Sequence, residues 1–291
     1  MLWFILRKLA AFIATVLVTA WLIYAVLGAS PGTQPQGGFF GWLAHALIGD
    51  FGISTSLSQP IGRLIAGRLA VTVPLALLAM VVATVVGLGI GYLAALRPGR
   101  WSDKALTTLA EIGVATPNFW LGMVLVLALA TGLHWLPPGG FVPWQDNFGG
   151  ALLSLILPAL ALALPAAAAL AIAARDALAE ARGAPYAVAA QARGLTARET
   201  FMTHGLRTAS LPVLRALAVQ CGVIVAGTVV VENVFYVPGL GRLILDALTA
   251  HDLAIVGGGL LVLILLASGT TFLLQLSLVW ADPRLRAGPV E

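Results

Sequence analysis

The chain has 291 residues, of which 60% are hydrophobic and only 10% are charged, and its formal net charge is +4 at pH 7. Soluble domains are about 45–50% apolar and about 25% charged. This composition therefore excludes a soluble globular domain and predicts an integral membrane protein.

Six apolar runs are long enough for spanning helices, which need about 20 mostly apolar residues to cross a hydrocarbon core about 30 Å thick. They cover residues 9–27, 73–96, 112–133, 152–174, 214–231 and 255–279. The first run follows Arg7 and Lys8, as a secretory signal would, but it is long for a signal and five more runs follow. We therefore expect a retained helix and an all-α membrane protein with one transmembrane domain over residues 1–291.

The segment between the first two runs, residues 30–72, is predicted to lie outside the membrane. It is rich in Gly, Pro, Ser and Thr as far as Pro60, which favours a loop. The stretch "IGRLIAGRLA" then places four apolar residues on one helical face: Ile61, Leu64, Ile65 and Leu69. We expect an amphipathic helix at the interface before the second span.

Glycine and proline mark two of the spans. Gly87, Gly89 and Gly91 in the second span are spaced for close contact with another helix. Pro158 and Pro165 predict breaks in the fourth span. Such breaks occur where a bundle lines a cavity, and they occur equally as passive kinks.

Lysine and arginine are concentrated on one side of this topology. With the amino terminus in the cytoplasm, 13 of the 16 Lys and Arg residues lie inside, and the remaining three, Arg63, Arg68 and Arg242, lie outside. This bias predicts that both termini are cytoplasmic. Because topology accounts for the arginines, the basic balance does not indicate nucleic acid as a partner.

The largest inside segment, residues 175–212, is longer than a simple connection requires. "ARDALAEARGAP" continues the fourth helix and stops at Gly183. "YAVAAQARG" predicts a short helix closed by Gly194, a residue type suited to a left-handed helix end.

A second short helix is predicted after this glycine. Thr196 and Glu199 have the spacing of a capping box, so a helix should begin there and end near Pro212. A rigid docking element and a basic loop lying on anionic lipid headgroups both fit this pattern.

The sequence predicts no catalytic or metal site. "GASPG" at 28–32 has the spacing of a nucleophile elbow, but it ends a membrane helix and Pro31 lacks the N–H that would hold an oxyanion. The lysines, Lys8 and Lys104, follow no phosphate-binding glycine pattern. The four histidines are scattered without the spacing of metal ligands.

Two acidic residues near membrane depth are candidate functional groups. Glu232 lies at the end of the fifth run in "VVVENVFYVPGLG", and Glu111 lies near the start of the third in "LAEIGVATPNFW". Each is interpreted either as a functional group or as a structural carboxylate bonded to a nearby loop amide.

With these motifs the chain resembles the membrane-spanning permease subunits of ATP-binding-cassette importers, in particular the dipeptide, oligopeptide and nickel group. The densest matches are "GDFGIS", "ATPNFWLGM", "YAVAAQARGLTARETFMTHGLRTASLPV", "VVVENVFYVPGLGRLILDAL" and "HDLAIVGG". The resemblance implies the type I importer permease fold in the bacterial inner membrane.

The resemblance also implies roles for particular residues. Those of the inside loop would couple the chain to an ATPase: Tyr186, Ala190, Arg193, Gly194, Leu195, Thr196 and Glu199. Three others would belong to the translocation pathway or its gate: Glu232, Asn118 and Glu111.

The chain departs from the family pattern at several positions. Pro185 replaces a usual acidic residue, Arg193 replaces a usual lysine, and Val188 stands where a glutamate is common. The outer segment 33–49 is shorter than usual, which bears on how a binding protein docks.

The resemblance implies partners rather than a cofactor in this chain. Six spans are half of the family's usual twelve, so a second homologous permease is expected to complete a heterodimer. Two cytoplasmic ATPase subunits would bind ATP and Mg, and an extracytoplasmic binding protein would deliver di- or oligopeptides. The alternative substrate is nickel or a metal chelate.

An ATPase-independent carrier would need an internal repeat, and an intramembrane enzyme would need a Ser/His or paired acidic constellation; neither pattern is present in the sequence.

Overall fold

The computed structural model describes residues 2–29, 38–96 and 98–281. These residues are almost entirely helical. The helices in chain order are α1 (Leu2–Ala29), α2 (Gly38–Leu47), α3 (Ile61–Leu96), α4 (Trp101–Ala115), α5 (Asn118–Leu125), α6 (Phe148–Gly183), α7 (Pro185–Ala192), α8 (Ala197–Thr200), α9 (Leu206–Val234), α10 (Leu240–Thr249) and α11 (Leu253–Ala281). Two π-helical stretches, Val126–Gly132 after α5 and Phe201–Gly205 after α8, continue their helices with wider turns.

Five helices in the described ranges are long and apolar enough to cross a membrane: α1, α3, α6, α9 and α11. A sixth span results if α4 and the helix from Asn118 to Gly132 are counted together. With that count, the prediction of a six-span, all-α membrane protein agrees with the structure. The orientation of the termini remains a prediction, and Arg284 and Arg286 lie outside the described residues.

The third predicted span, residues 112–133, is not one continuous helix. Its two halves are bent by 106° at Thr116 and Pro117. Thr116 has extended backbone angles, φ −84° and ψ 123°. A proline disfavours the helical conformation of the residue before it and has no N–H of its own, so the helix ends here and restarts at Asn118.

The other prolines do not interrupt their helices, and here the prediction was wrong. α6 runs unbroken through Pro158 and Pro165, and α9 continues through Pro212 instead of starting after it. A proline removes one backbone hydrogen bond. We attribute the continuity to packing, because residues on both sides of each proline belong to apolar clusters: Leu157 and Ala159, Ala163 and Ala166, and Ala209 and Val213.

The outer segment also differs from the prediction. Residues 38–47, expected in a loop, form α2, and the amphipathic stretch from Ile61 is the first part of α3 rather than a separate helix. The ring centroids of Phe39 and Trp42 on α2 lie 5.6 and 6.0 Å from that of Tyr24 on α1. This aromatic contact gives α2 an apolar surface to pack against. Residues 30–37 lie outside the described part of the chain.

The core centres on α6, which packs against α3, α4 and α9. Gly87 and Gly91 of α3 lie so close to α6 that an added Cβ would be 2.6 Å from the carbonyl oxygens of Ala167 and Ala171, respectively. Small residues on both helices therefore allow backbone contact. Gly89 has no atom within 4 Å of its Cβ position, so the predicted close contact holds for two of the three glycines.

The bundle has two ends. We call the end that holds residues 49–60, 133–147 and 235–252 the outer end, because the charge distribution predicts that it lies outside. The opposite end, with residues 98–100 and 184–205, is the inner end.

Replacing Gly87 or Gly91 with valine should force α3 away from α6. Overpacking of a core costs about 1–3 kcal/mol, and here the Cβ would meet backbone atoms, which cannot rotate away. We expect a clear loss of thermal stability of the detergent-purified protein. Gly89→Val is the matched control and should unfold at the wild-type temperature. Equal stability of all three variants would contradict the close packing of these helices.

Candidate functional site

The inner-end loop between α6 and α9 adopts the predicted helix–glycine–helix arrangement. α7 ends at Ala192, and Gly194 has a φ of +95°, a conformation that favours glycine. The hydroxyl of Tyr186 donates a hydrogen bond to the carbonyl oxygen of Ala181 at 3.0 Å, which ties the start of α7 to the last turn of α6. Ala190, one turn further along the same face of α7, is buried.

The predicted capping box is confirmed. The backbone N–H of Glu199 donates to Oγ1 of Thr196 at 3.2 Å, and the backbone N–H of Thr196 donates to Oε2 of Glu199 at 2.8 Å. The hydroxyl of Thr196 also donates to this carboxylate. These donors, the backbone N–H first, lower the pKa of Glu199 below its ordinary value. The box begins the single turn of α8, after which the chain passes through a π-helical stretch into α9.

The outward surface of this loop is partly apolar. Val188 is 63% exposed, Leu195 is 38% exposed and Met202 is 58% exposed. Arg193 and Gly194 are exposed beside them. A surface that combines apolar side chains with a cation outside the spanning helices is typical of a site for a protein partner.

An ion pair between the half-buried Arg175 and the buried Asp103 connects α6 to α4 at the inner end. Arg175 donates from Nε to Oδ1 of Asp103 at 3.0 Å and from NH2 to Oδ2 at 2.8 Å. The backbone N–H of Gly99 donates to the same carboxylate at 2.8 Å. The guanidinium of Arg182 also donates to the carbonyl oxygen of Ala95 at the end of α3. The last turns of α6, which lead directly into α7, are therefore fixed to both α3 and α4.

Sequence reasoning missed the role of Asp103. It lies in a polar stretch before the third span and its side chain is only 2% exposed. Its partner is 72 residues away, and no local pattern marks such a pair.

Glu232 joins three helices at the outer end and is fully buried. Its Oε1 accepts a hydrogen bond from the hydroxyl of Thr72 on α3 at 2.6 Å, and its Oε2 accepts one from the backbone N–H of Arg242 on α10 at 3.2 Å. The same Thr72 hydroxyl accepts from the backbone N–H of Leu240 at 2.8 Å. This geometry favours the structural interpretation, in which the carboxylate is bonded to a loop amide.

The three candidate pathway residues are not brought together. Glu111 is exposed on α4. Asn118 begins α5, and its side-chain nitrogen lies 3.0 Å from the position that a Cβ of Gly227 on α9 would occupy. The carboxylate of Glu232 accepts hydrogen bonds from Thr72 and Arg242 instead. A pathway role for these residues remains a prediction.

Asp252 forms a second carboxylate cluster at the outer end that sequence reasoning missed. Its Oδ2 accepts from the hydroxyls of Ser54 and Ser56 at 2.7 and 2.9 Å, and from the backbone N–H of Ser56 at 3.0 Å. Its Oδ1 accepts from the backbone N–H of Ile255 at 3.3 Å. The signal in the sequence was an aspartate just before an apolar helix, which is a preferred N-cap. The cluster fixes the segment before α3 to the start of α11.

The environment of Asp252 stabilises its ionised form. Burial opposes ionisation and raises the pKa, but the four donors from Ser54, Ser56 and Ile255 outweigh it and lower the pKa to about 2. A carboxylate with a depressed pKa stabilises the fold above its unfolded-state value, here 3.8, and loses that contribution as the pH falls towards 2.

Asp252→Asn should destabilise the protein at neutral pH, because an amide can accept only part of this set of donors. The expected loss is about 1–3 kcal/mol. It should shrink between pH 4 and pH 2, where the wild-type carboxylate becomes protonated. Thermal unfolding measured across this range tests both points. Asp246→Asn, at a side chain that is 65% exposed, is the control; a similar effect of both variants would refute the cluster.

Glu232→Gln should also destabilise the protein, because the amide offers one oxygen where two oxygens accept from Thr72 and Arg242. The expected loss is about 1–3 kcal/mol, measured by thermal unfolding. Thr72→Val, which removes the other end of the same bond, should cost a similar amount. If Glu232→Gln keeps the wild-type stability and alters only the activity, the structural interpretation is wrong.

Comparison with known proteins places this arrangement among transport proteins. Residues 87–287 match the family described as "binding-protein-dependent transport system inner membrane component". The chain is 38% identical over 245 residues to a putative peptide transport system permease protein of Brucella abortus (strain 2308), which covers 84% of this chain and 78% of the relative.

Two further relatives have similar coverage. A probable peptide ABC transporter permease protein of Sinorhizobium fredii is 33% identical over 248 residues, covering 85% of this chain and 79% of its own. A glutathione transport system permease protein of Salmonella typhi is 32% identical over 282 residues, covering 88% and 90%, respectively.

Proposed function

The chain belongs to the family of binding-protein-dependent transport system inner membrane components, and on that premise we propose that it forms half of the translocation pathway of an ATP-driven peptide importer. It is a multi-pass protein of the bacterial inner membrane and a permease subunit. The peptide substrate is supported by the names of relatives, two of which refer to peptides and one to glutathione, itself a tripeptide.

The observation that carries this proposal is the inner-end loop. α7, the left-handed Gly194 and the Thr196–Glu199 box form a compact element that exposes the apolar side chains Val188, Leu195 and Met202. We propose that this element seats on a cytoplasmic ATPase subunit. Exposed apolar residues beside Arg193 suit a cleft in a protein better than the headgroups of a membrane.

The proposed mechanism follows from how this loop is attached. When the ATPases close on ATP, α7 moves with them. Because Tyr186 fixes α7 to α6, and Arg175 and Arg182 fix α6 to α4 and α3, the displacement reaches helices on both sides of α6. The subunit does no bond chemistry itself. It contributes contacts that differ between two states, which any ligand-driven switch requires.

The proposed assembly contains partners that supply what this chain lacks. A homologous permease completes the pathway as a heterodimer, and two ATPase subunits hold ATP and Mg. A binding protein delivers the substrate at the outer end, with both termini of this chain in the cytoplasm.

Purification of the tagged chain from its native membrane in a gentle detergent tests the assembly. We expect a second six-span permease and two ATPase subunits in fixed stoichiometry. A homo-oligomer without an ATPase would refute the proposal.

Gly194→Leu should uncouple ATP hydrolysis from transport. A Cβ at this glycine meets no atom within 4 Å, so the effect comes from backbone strain, about 1–2 kcal/mol for a left-handed residue, and from the altered docking surface. We expect uptake per ATP hydrolysed to fall about five- to thirty-fold in proteoliposomes. Gly183→Leu is the control, since that glycine also has open space but no positive φ. Normal coupling in Gly194→Leu would contradict the role of this loop.

A further inference from the structure

We propose that a cavity at the outer end of α3 binds the terminal carboxylate of the transported peptide. This inference rests on the proposed function, because it assigns one chemical group of the substrate to a site on the permease itself.

The cavity has a volume of about 510 Å³, within the range of ligand sites, about 300–1,000 Å³. One wall is the first part of α3, and the other is formed by the segment before α6 and by the turn between α9 and α10. The residues that matter for binding are Gln59, Arg63, Gly67, Arg68, Trp144 and Gln145.

Two guanidinium groups line this cavity, and none of the described residues that line it is acidic. The side chain of Arg63 is exposed, and its guanidinium makes no hydrogen bond or ion pair within the described part of the chain, while its backbone N–H donates to the carbonyl oxygen of Pro60 at 3.1 Å. Arg68 is half-buried and donates from NH1 to the carbonyl oxygen of Pro238 at 3.2 Å. The acid whose charge acts on Arg68, Glu232, is fully buried behind it and is bonded to Thr72 and Arg242. The cavity therefore presents two guanidinium groups, neither of which has a carboxylate at hydrogen-bond distance.

The third predicted outer arginine provides a contrast. The Cζ atom of Arg242 lies 4.9 Å from the ring centroid of Tyr236, and its Nε lies 3.8 Å from Oδ2 of Asp246. Its positive charge therefore interacts with an aromatic ring and with a carboxylate. The two arginines that lack an acidic partner at hydrogen-bond distance both face the cavity.

The remaining walls suit the last residue of a short peptide. Trp144 is held in place because its Nε1 donates to the carbonyl oxygen of Ala70 at 3.0 Å, and its ring packs against Phe141 in an edge-to-face arrangement with centroids 5.5 Å apart. This aromatic wall can cover an apolar side chain, while the amides of Gln59 and Gln145 can bond a peptide group. A guanidinium binds a carboxylate through two parallel hydrogen bonds, which supplies orientation as well as affinity.

Gly67 also lines the cavity and lies one helical turn after Arg63 on α3. A Cβ at this position meets no atom within 4 Å, so a larger side chain would occupy the cavity without displacing the protein. This glycine offers a way to block the site without removing a charge.

The test measures binding of alanyl-phenylalanine and of its C-terminal amide to the purified permease–ATPase complex, without binding protein, by saturation-transfer NMR. Wild type should bind the free acid saturably and at least about ten-fold more tightly than the amide, as expected when charge-assisted bonds are lost. Arg63→Gln and Gly67→Leu should each weaken binding of the free acid about ten-fold or more. Arg242→Gln, which makes the same charge change outside the cavity, should leave binding unchanged. Thermal unfolding verifies that the variants are folded.

Several results would overturn the site. These are no saturable binding by wild type, equal binding of acid and amide, or full binding by Arg63→Gln and Gly67→Leu. If these two variants instead lose co-purifying phospholipid while the peptide neither binds nor competes, the arginines hold a lipid phosphate and the inference is wrong. Uptake of the dipeptide by the wild-type complex with ATP and binding protein is measured in parallel. Failure of that uptake refutes the proposed function. Normal uptake together with equal binding of the free acid and the amide refutes only the carboxylate site.

Discussion

The contact between α3 and α6 positions most of the structure around it. Gly87 and Gly91 have no side chains, so the backbone of α3 lies against the small residues of α6. Inside a membrane, water does not drive helices together, and close packing of small residues takes over that role. Because α6 also packs against α4 and α9, this approach determines where the polar groups at both ends of the bundle can meet.

Three buried carboxylates accept hydrogen bonds from donor groups that this packing brings close to them. A carboxylate removed from water is tolerated only where donors surround it. Asp103 meets Arg175 and Gly99 at the inner end, and Glu232 and Asp252 meet hydroxyl and amide donors at the outer end. Each links segments that are distant in sequence, so the bundle is fixed near both ends. A force applied to α7 would therefore be distributed over α3, α4 and α6 together.

At the outer end, some charged side chains are bonded to neighbouring groups, whereas two arginines line a cavity. Glu232, Asp252 and Arg242 are all engaged by neighbouring groups. Arg63 and Arg68 instead line a cavity together with Trp144 and Gly67, and neither guanidinium has a carboxylate at hydrogen-bond distance. These two cations are the basis of the carboxylate site that we propose.

Features that depend on composition and local chemistry were predictable from the amino-acid sequence. Apolar length located the spans, the spacing of Thr196 and Glu199 predicted the capping box, and the glycine at 194 marked a left-handed turn. Tertiary structure decided the rest. α2 and α10 are short helices that are ordered by packing. The helical spacing of the apolar residues 240, 243, 244 and 247 was a signal for α10. α6 and α9 continue through their prolines, which sequence rules alone would have made breaks. The partners of Asp103 and Glu232 lie 72 and 160 residues away, and local periodicity carries no information about such pairs, because only the packing of whole helices brings them together.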